Sequence, residues 1–115
     1  MLPSKRLPAT FYRTKTGASP VRDFLFGLPR EDRRTIGNDI ATVEYGWPVG
    51  KPTCAPIGLG LWEVRSNLTS NRIARVLFTV HEGHMVLLHG FVKKTQKTPQ
   101  AALDLARDRM KEIKK

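Results

Sequence analysis

Three β-prone runs joined by short polar turns fill residues 61–99, and this stretch limits the fold more than any other. The first run, 61–66, alternates Leu61, Glu63 and Arg65 with Trp62 and Val64. Strand geometry sends these two sets to opposite faces of a sheet. The second run, 72–80, sets Ile73, Arg75 and Leu77 against Ala74, Val76, Phe78 and Val80. A polar turn at 67–71 separates the two. Glu82-Gly83 then leads into a third run, 85–92, in the manner of a tight hairpin. Three neighbouring strands with connections this short predict an antiparallel meander.

The flanks supply the rest of the fold. Residues 1–8 hold two prolines and two bases and read as a loose arm. Residues 9–14 are the expected first strand, and 15–18 turn the chain. Ser19-Pro20 has the form of a helix start: a capping hydroxyl, then proline where its missing N–H costs nothing. That helix runs to about Phe26, Gly27 ends it, and Pro29 opens a second. Ile36, Ile40, Val43 and Trp47 recur at helical spacing as one apolar stripe, and Gly46 and Pro48 stop the helix. The charged positions between Arg30 and Glu44, Asp32 and Asp39 among them, read as a solvated face. A short strand at 53–57, around Cys54, is confined to an edge by Pro52 and Pro56. Thr98-Pro99 repeats the hydroxyl-and-proline start, and Leu103, Ala106, Met110 and Ile113 space a last amphipathic helix. The order is β, α, α, short β, three β, α. Helices segregated from a mostly antiparallel sheet make one α+β domain over residues 1–115.

Twenty Lys and Arg stand against ten Asp and Glu, a net charge of +10. Residues 61–99 carry six of the bases and only two acids, Glu63 and Glu82. This balance points to nucleic acid or an acidic protein as partner, with simple solubility as the bland alternative. Cys54 is the one cysteine, so no internal disulfide forms, and a reducing compartment suits it. No apolar run approaches the roughly 20 residues of a membrane helix. The first residues lack the apolar core of a secretory signal. The expectation is a cytoplasmic protein with no membrane partner.

The usual catalytic motifs are missing. His81-Glu82-Gly83-His84 has the wrong spacing for a zinc-protease helix and falls in a turn, so no metal site is expected. There is no CxxC, no GxGxxG and no phosphate-binding P-loop. Cys54, among prolines with no neighbouring base, reads as inert. What remains is a set of cations on strands. Arg65 and Arg75 interrupt otherwise apolar faces, and each must find an anion, because an unpaired buried charge is very costly. Glu63 or another acid is one candidate partner. A phosphate held by the planar guanidinium is the other. Lys93, Lys94 and Lys97 read either as a solvated turn or as a phosphate-contacting cluster.

The motifs Leu61-Trp62-Glu63-Val64-Arg65 and His89-Gly90-Phe91-Val92-Lys93-Lys94-Thr95-Gln96-Lys97-Thr98-Pro99, with Arg75 between them, carry a resemblance. The chain resembles the RelE/ParE superfamily of bacterial toxins over roughly residues 9–112, most closely its HigB-like, phage-derived branch. The resemblance implies two N-terminal helices packed on a small, curved, mostly antiparallel sheet, with a C-terminal helix. It also implies a toxin of a type II toxin–antitoxin module, with a cognate antitoxin, expected to be a helix-turn-helix protein, as partner. Many relatives cut mRNA on the ribosome, whereas the ParE branch poisons DNA gyrase. By position, Arg65, Arg75 and Lys94 match the basic residues around the scissile phosphate, and Lys93 adjoins them. Arg72 and Lys97 are further expected RNA contacts. Glu63 falls where RelE has a basic residue. No tyrosine follows Tyr45, although RelE uses one on its C-terminal segment, and the His–Asp set of other HigB toxins is missing.

The implied chemistry is a metal-independent, cofactor-free RNA cleavage. RNA supplies its own nucleophile, the 2′-OH, and cations stabilise the charge that develops on phosphorus oxygens. Glu63, on the face of Arg65, is the candidate base. Two other readings stay open: a non-catalytic gyrase-inhibiting toxin, and a basic nucleic-acid-binding module without toxicity.

Overall fold

The computed structural model of the protein describes residues 4–93 and 97–114. Its elements, in chain order, are β1 (Ala9–Phe11), α1 (Pro20–Phe26), α2 (Arg30–Gly46), β2 (Cys54–Gly58), β3 (Leu61–Asn67), β4 (Ile73–His81), β5 (His84–Lys93) and α3 (Gln100–Ile113). The strands form one sheet in the order β1-β5-β4-β3-β2. All pairings are antiparallel except β1 with β5. The architecture is thus α+β, with three helices and a mostly antiparallel sheet. One strand, β1, precedes the two helices expected at the N-terminal end.

The alternation in β3 and β4 builds two cores. Val64, Ala74, Val76 and Phe78 face α1 and α2, where they pack with Val21, Leu25, Ile36, Ile40 and Val43. Trp47, at the end of the α2 stripe, stands edge-on to Trp62 at 4.9 Å and to Phe78 at 5.9 Å. Such edge-to-face pairs add roughly 0.5–1.5 kcal/mol beyond the area they bury. Leu61, Leu77, Val86 and Leu88 face the other way and pack under Ala102, Ala106 and Met110 of α3. The sheet is therefore covered by a helix pair on one face and by one helix on the other.

Strand β5 changes face part-way along. Leu77 is opposite His89, but Phe78 is opposite Leu87, so Leu88 is an extra residue. A bulge of this kind leaves a backbone group outside the ladder. Here the Leu88 carbonyl accepts a hydrogen bond from Arg109 Nη1 of α3 at 2.7 Å. Beyond the bulge, Gly90 lies under α1: a Cβ there would stand 2.6 Å from the Phe24 ring. Only glycine lets that helix sit so close. The hairpin before it turns on Glu82 and Gly83, both at positive φ, the two-residue geometry that matches strand twist.

Several local expectations are corrected. The first strand stops at Phe11 rather than Thr14, because Thr14 already closes a turn with Gly17 and Ala18. Ser19 makes no side-chain cap to α1, and Pro99 rather than Thr98 occupies the N-cap position of α3, as Pro29 does for α2. The polar face of α2 is not all solvated, since Asp32 and Glu44 are buried. Glu44 accepts the Ala9 N–H at 2.7 Å and pairs with Lys5, while its carbonyl takes the N–H groups of Arg6 and Leu7. The arm expected to be loose is thus tied down from Lys5 to Leu7, with Leu7 in the core.

Candidate functional site

On the α3 face, running outward from Leu77 beneath α3, the register of β3, β4 and β5 builds a grid of side chains. One row is Asn67, Ile73 and Lys93; the next is Arg65, Arg75 and Phe91; the third is Glu63, Leu77 and His89. Residues directly opposite on antiparallel strands share a face and touch, and diagonal neighbours remain within reach of long side chains. Arg75 is the centre of this grid. Its Nη1 donates to both oxygens of Glu63, at 2.8 and 2.7 Å, across the diagonal. Both residues are buried, Arg75 to 5% exposure and Glu63 to 7%. Of the two partners open to Arg75, the carboxylate is the one present within the fold.

Two open clefts lie on the β2 side, one of them against the pair. One, of about 390 Å³, is lined by Glu63, Arg65 and Arg75 with Lys51, Ala55 and Pro56. The other, of about 400 Å³, is lined by Arg65 and Asn67 with Thr35, Asp39 and Thr53. Pro52 and Arg65 belong to both. Half-buried Arg65 therefore stands at the junction of two concave, cation-bearing surfaces.

The other expected residues divide. Lys93 closes β5 at the open end of the grid, opposite Ile73. Lys97 is exposed just before α3. Lys94 lies outside the described residues. Arg72 is not part of the grid. Its Nη1 and Nη2 donate to the two oxygens of Asp32 at 2.8 and 3.0 Å, and its Nε and Nη2 bond Thr69. The hydrogen bond to Asp32 raises its pKa further. Arg72 thus ties the β3–β4 turn to α2. Cys54 is buried, and burial first, then the Glu63 charge, pushes its thiol up to about 11. That agrees with an inert thiol.

His89 and Phe91 were part of a motif but were given no role by sequence reasoning. Phe91 lies in the row of Arg75 and His89 in the next row on β5, with ring centroids 5.7 Å apart. Half-buried His89 has its pKa lowered, by burial first and then by the Arg109 charge. Simple alternation from Leu87 would have sent both to the α1 side; the signal that could have placed them is Gly90, which fits only under a packed ring. Among the described residues no three His, Cys, Asp or Glu gather into a metal-binding group, and no helix is long and apolar enough to cross a membrane.

A family model described as phage-derived protein Gp49-like (DUF891) matches residues 23–111. The chain belongs to this family. The Gp49-like family is of RelE-like toxin type. The match runs from α1 into α3 and so includes every residue of the grid. No curated protein matches this Gp49-like chain.

Proposed function

We propose that this Gp49-like protein is the toxin of a type II toxin–antitoxin module, of the HigB-like branch, and that it blocks translation by cutting mRNA on the ribosome. The observation that carries the reading is the Arg65–Arg75 row, set on a rigid sheet at the wall of open clefts. A guanidinium in a partly desolvated cleft stabilises negative charge far better than one in water. In the proposed step the 2′-oxygen attacks the adjacent phosphorus, the bond to the 5′-oxygen breaks, and Arg65 and Arg75 stabilise the phosphorane oxygens. Lys93 holds a flanking phosphate, joined by Lys94 and Lys97. Glu63 positions Arg75 rather than taking a proton, since both its oxygens already accept from that guanidinium.

Orientation of a flexible strand for in-line attack is worth roughly 7–11 kcal/mol. Nothing in the grid clamps a free strand on both sides, whereas a translating ribosome already holds the message in a fixed path. The reading therefore includes ribosome dependence, a cytoplasmic location, and an acidic or amphipathic segment of a helix-turn-helix antitoxin that neutralises the basic face. The test mixes purified protein with naked mRNA and with programmed ribosomes, and maps the new RNA ends. Cutting on ribosomes alone is the expected result; equal cutting of both overturns ribosome dependence. The Glu63–Arg75 pair favours a second reading, because it engages a cation that cleavage would need. Intact RNA together with inhibited gyrase would make the protein a non-catalytic, ParE-like toxin.

A further inference from the structure

We infer that His89 is the proton-accepting catalytic residue of this protein, acting on the ribose 2′-OH of an RNA strand laid across the Arg65–Arg75–Phe91 row. The inference rests on the proposed RNA cleavage and supplies the base that Glu63 cannot be.

Geometry is the first support. Glu63 and His89 occupy the same row, one on each side of Leu77, and both are diagonal neighbours of Arg75. The diagonal on the β3 side is closed, as the contacts of Arg75 with Glu63 show. The register makes His89 the diagonal neighbour of Arg75 on the β5 side, at the spacing of about 7–8 Å that sheet diagonals have. A phosphate bound at the Arg65–Arg75 row would thus have an imidazole on the flank away from the carboxylate. Phe91, directly opposite Arg75, gives that flank an apolar ring on which a nucleobase can stack, the usual device for holding single strands.

The fold also holds His89 there for reasons unconnected with the core. The bulge at Leu88 turns the ring to the α3 face, and Arg109 fixes the bulge by taking the Leu88 carbonyl. Gly90, next in the strand, faces the other way and packs beneath Phe24 of α1. The charge that acts on His89 is Arg109 on α3, and the register sets Arg75 on β4 diagonal to it, with Glu63 beyond on β3. Tyr12, following β1, lies under Arg109, whose guanidinium is 5.4 Å from the ring. Burial and the nearby cation favour the neutral imidazole, the form that can accept a proton near neutral pH.

The step balances without a co-reactant other than water. The free imidazole nitrogen takes the 2′-OH proton as the bond from the 2′-oxygen to phosphorus forms. The phosphorus–O5′ bond breaks with its electron pair going to O5′, which takes a proton from water. The imidazolium returns its proton to solvent. The products are a 2′,3′-cyclic phosphate and a 5′-hydroxyl.

The experiment follows cutting on programmed ribosomes against pH for the wild type, His89→Gln and His89→Asn, with ribosome pelleting as the measure of binding. Wild-type cutting should fall on the acid side with a midpoint below the ordinary histidine value. Both variants should pellet normally, cut about 10²–10⁴-fold more slowly, and lose the acid limb. A folded variant that cuts within threefold of wild type overturns the assignment. The wild type carries an independent check, which holds even if a variant misfolds: the kinetic midpoint must coincide with the His89 imidazole titration seen by NMR on the ribosome-free protein, shifted only slightly by binding. A mismatch of a full pH unit or more overturns the role of His89 while leaving RNA cleavage in place. No cutting by the wild type itself overturns the proposed function, and this inference with it.

Discussion

Arg75 is buried against the Glu63 carboxylate, so its guanidinium belongs to the fold as well as to the charge of the face. Breaking a buried pair leaves one uncompensated charge and typically costs about 3–5 kcal/mol. Arg75→Ala should therefore lower stability by that amount in urea unfolding, whereas Glu63→Leu with Arg75→Met should recover most of it. Equal stability of Arg75→Ala and wild type would show that the pair is solvated. Cys54 gives a second residue-scale expectation. Its thiol is raised from the ordinary value to about 11, so the native state keeps a proton that the unfolded chain gives up near pH 9. The contribution is complete below about pH 9 and is lost as pH rises towards 11, with stability falling by up to about 3 kcal/mol. Subtracting the stability curve of Cys54→Ala from that of the wild type should reveal this alkaline loss; a flat difference between pH 8 and pH 11 would refute it.

At the scale of elements, the contact between α1 and β5 depends on one missing methyl. The added Cβ in Gly90→Ala meets the ring carbons of Phe24 at 2.6 and 2.7 Å, inside any real contact distance. The ring must move, and overpacking of this kind costs typically about 1–3 kcal/mol. The variant should melt several degrees lower than wild type. Phe24→Leu placed alongside it should recover part of the loss, because it removes the atoms in conflict. Additive losses in the double variant would show that the two positions do not meet. The same strand shows how a local irregularity carries function: the bulge at Leu88 gives α3 its Arg109 anchor and sends His89 and Phe91 to the open face.

At the scale of the molecule, a net charge of +10 is spread over a two-sided sheet, and the open part of one face gathers Arg65, Arg75 and Lys93. Binding to single-stranded RNA should weaken linearly in log–log plots against salt, as released counterions require. Lys93→Ala should reduce that slope by about 0.7, the value of one phosphate contact on a single strand, without changing thermal stability. An unchanged slope would remove Lys93 from the interface. Arg72→Ala should behave in the opposite way, leaving the slope alone and weakening the tie between the β3–β4 turn and α2.

Much of this was legible in the sequence because periodicity is a local property. The alternation of β3 and β4, the stripe of α2 and the proline-limited edge strand each follow from residues close together in the chain. They therefore determined the α+β order and the faces of Arg65, Arg75 and Glu63. Tertiary structure decided what depends on partners distant in sequence. Asp32 and Glu44 looked solvated until Arg72, 40 residues away from Asp32, and the arm at Lys5 to Leu7 enclosed them. Arg75 had two candidate anions, and only the strand register brought Glu63 to it. The face of His89 followed from a single extra residue in β5. A pattern of period two cannot announce the point at which it slips, because a bulge is settled by pairing with the neighbouring strand and by the helices packed above and below.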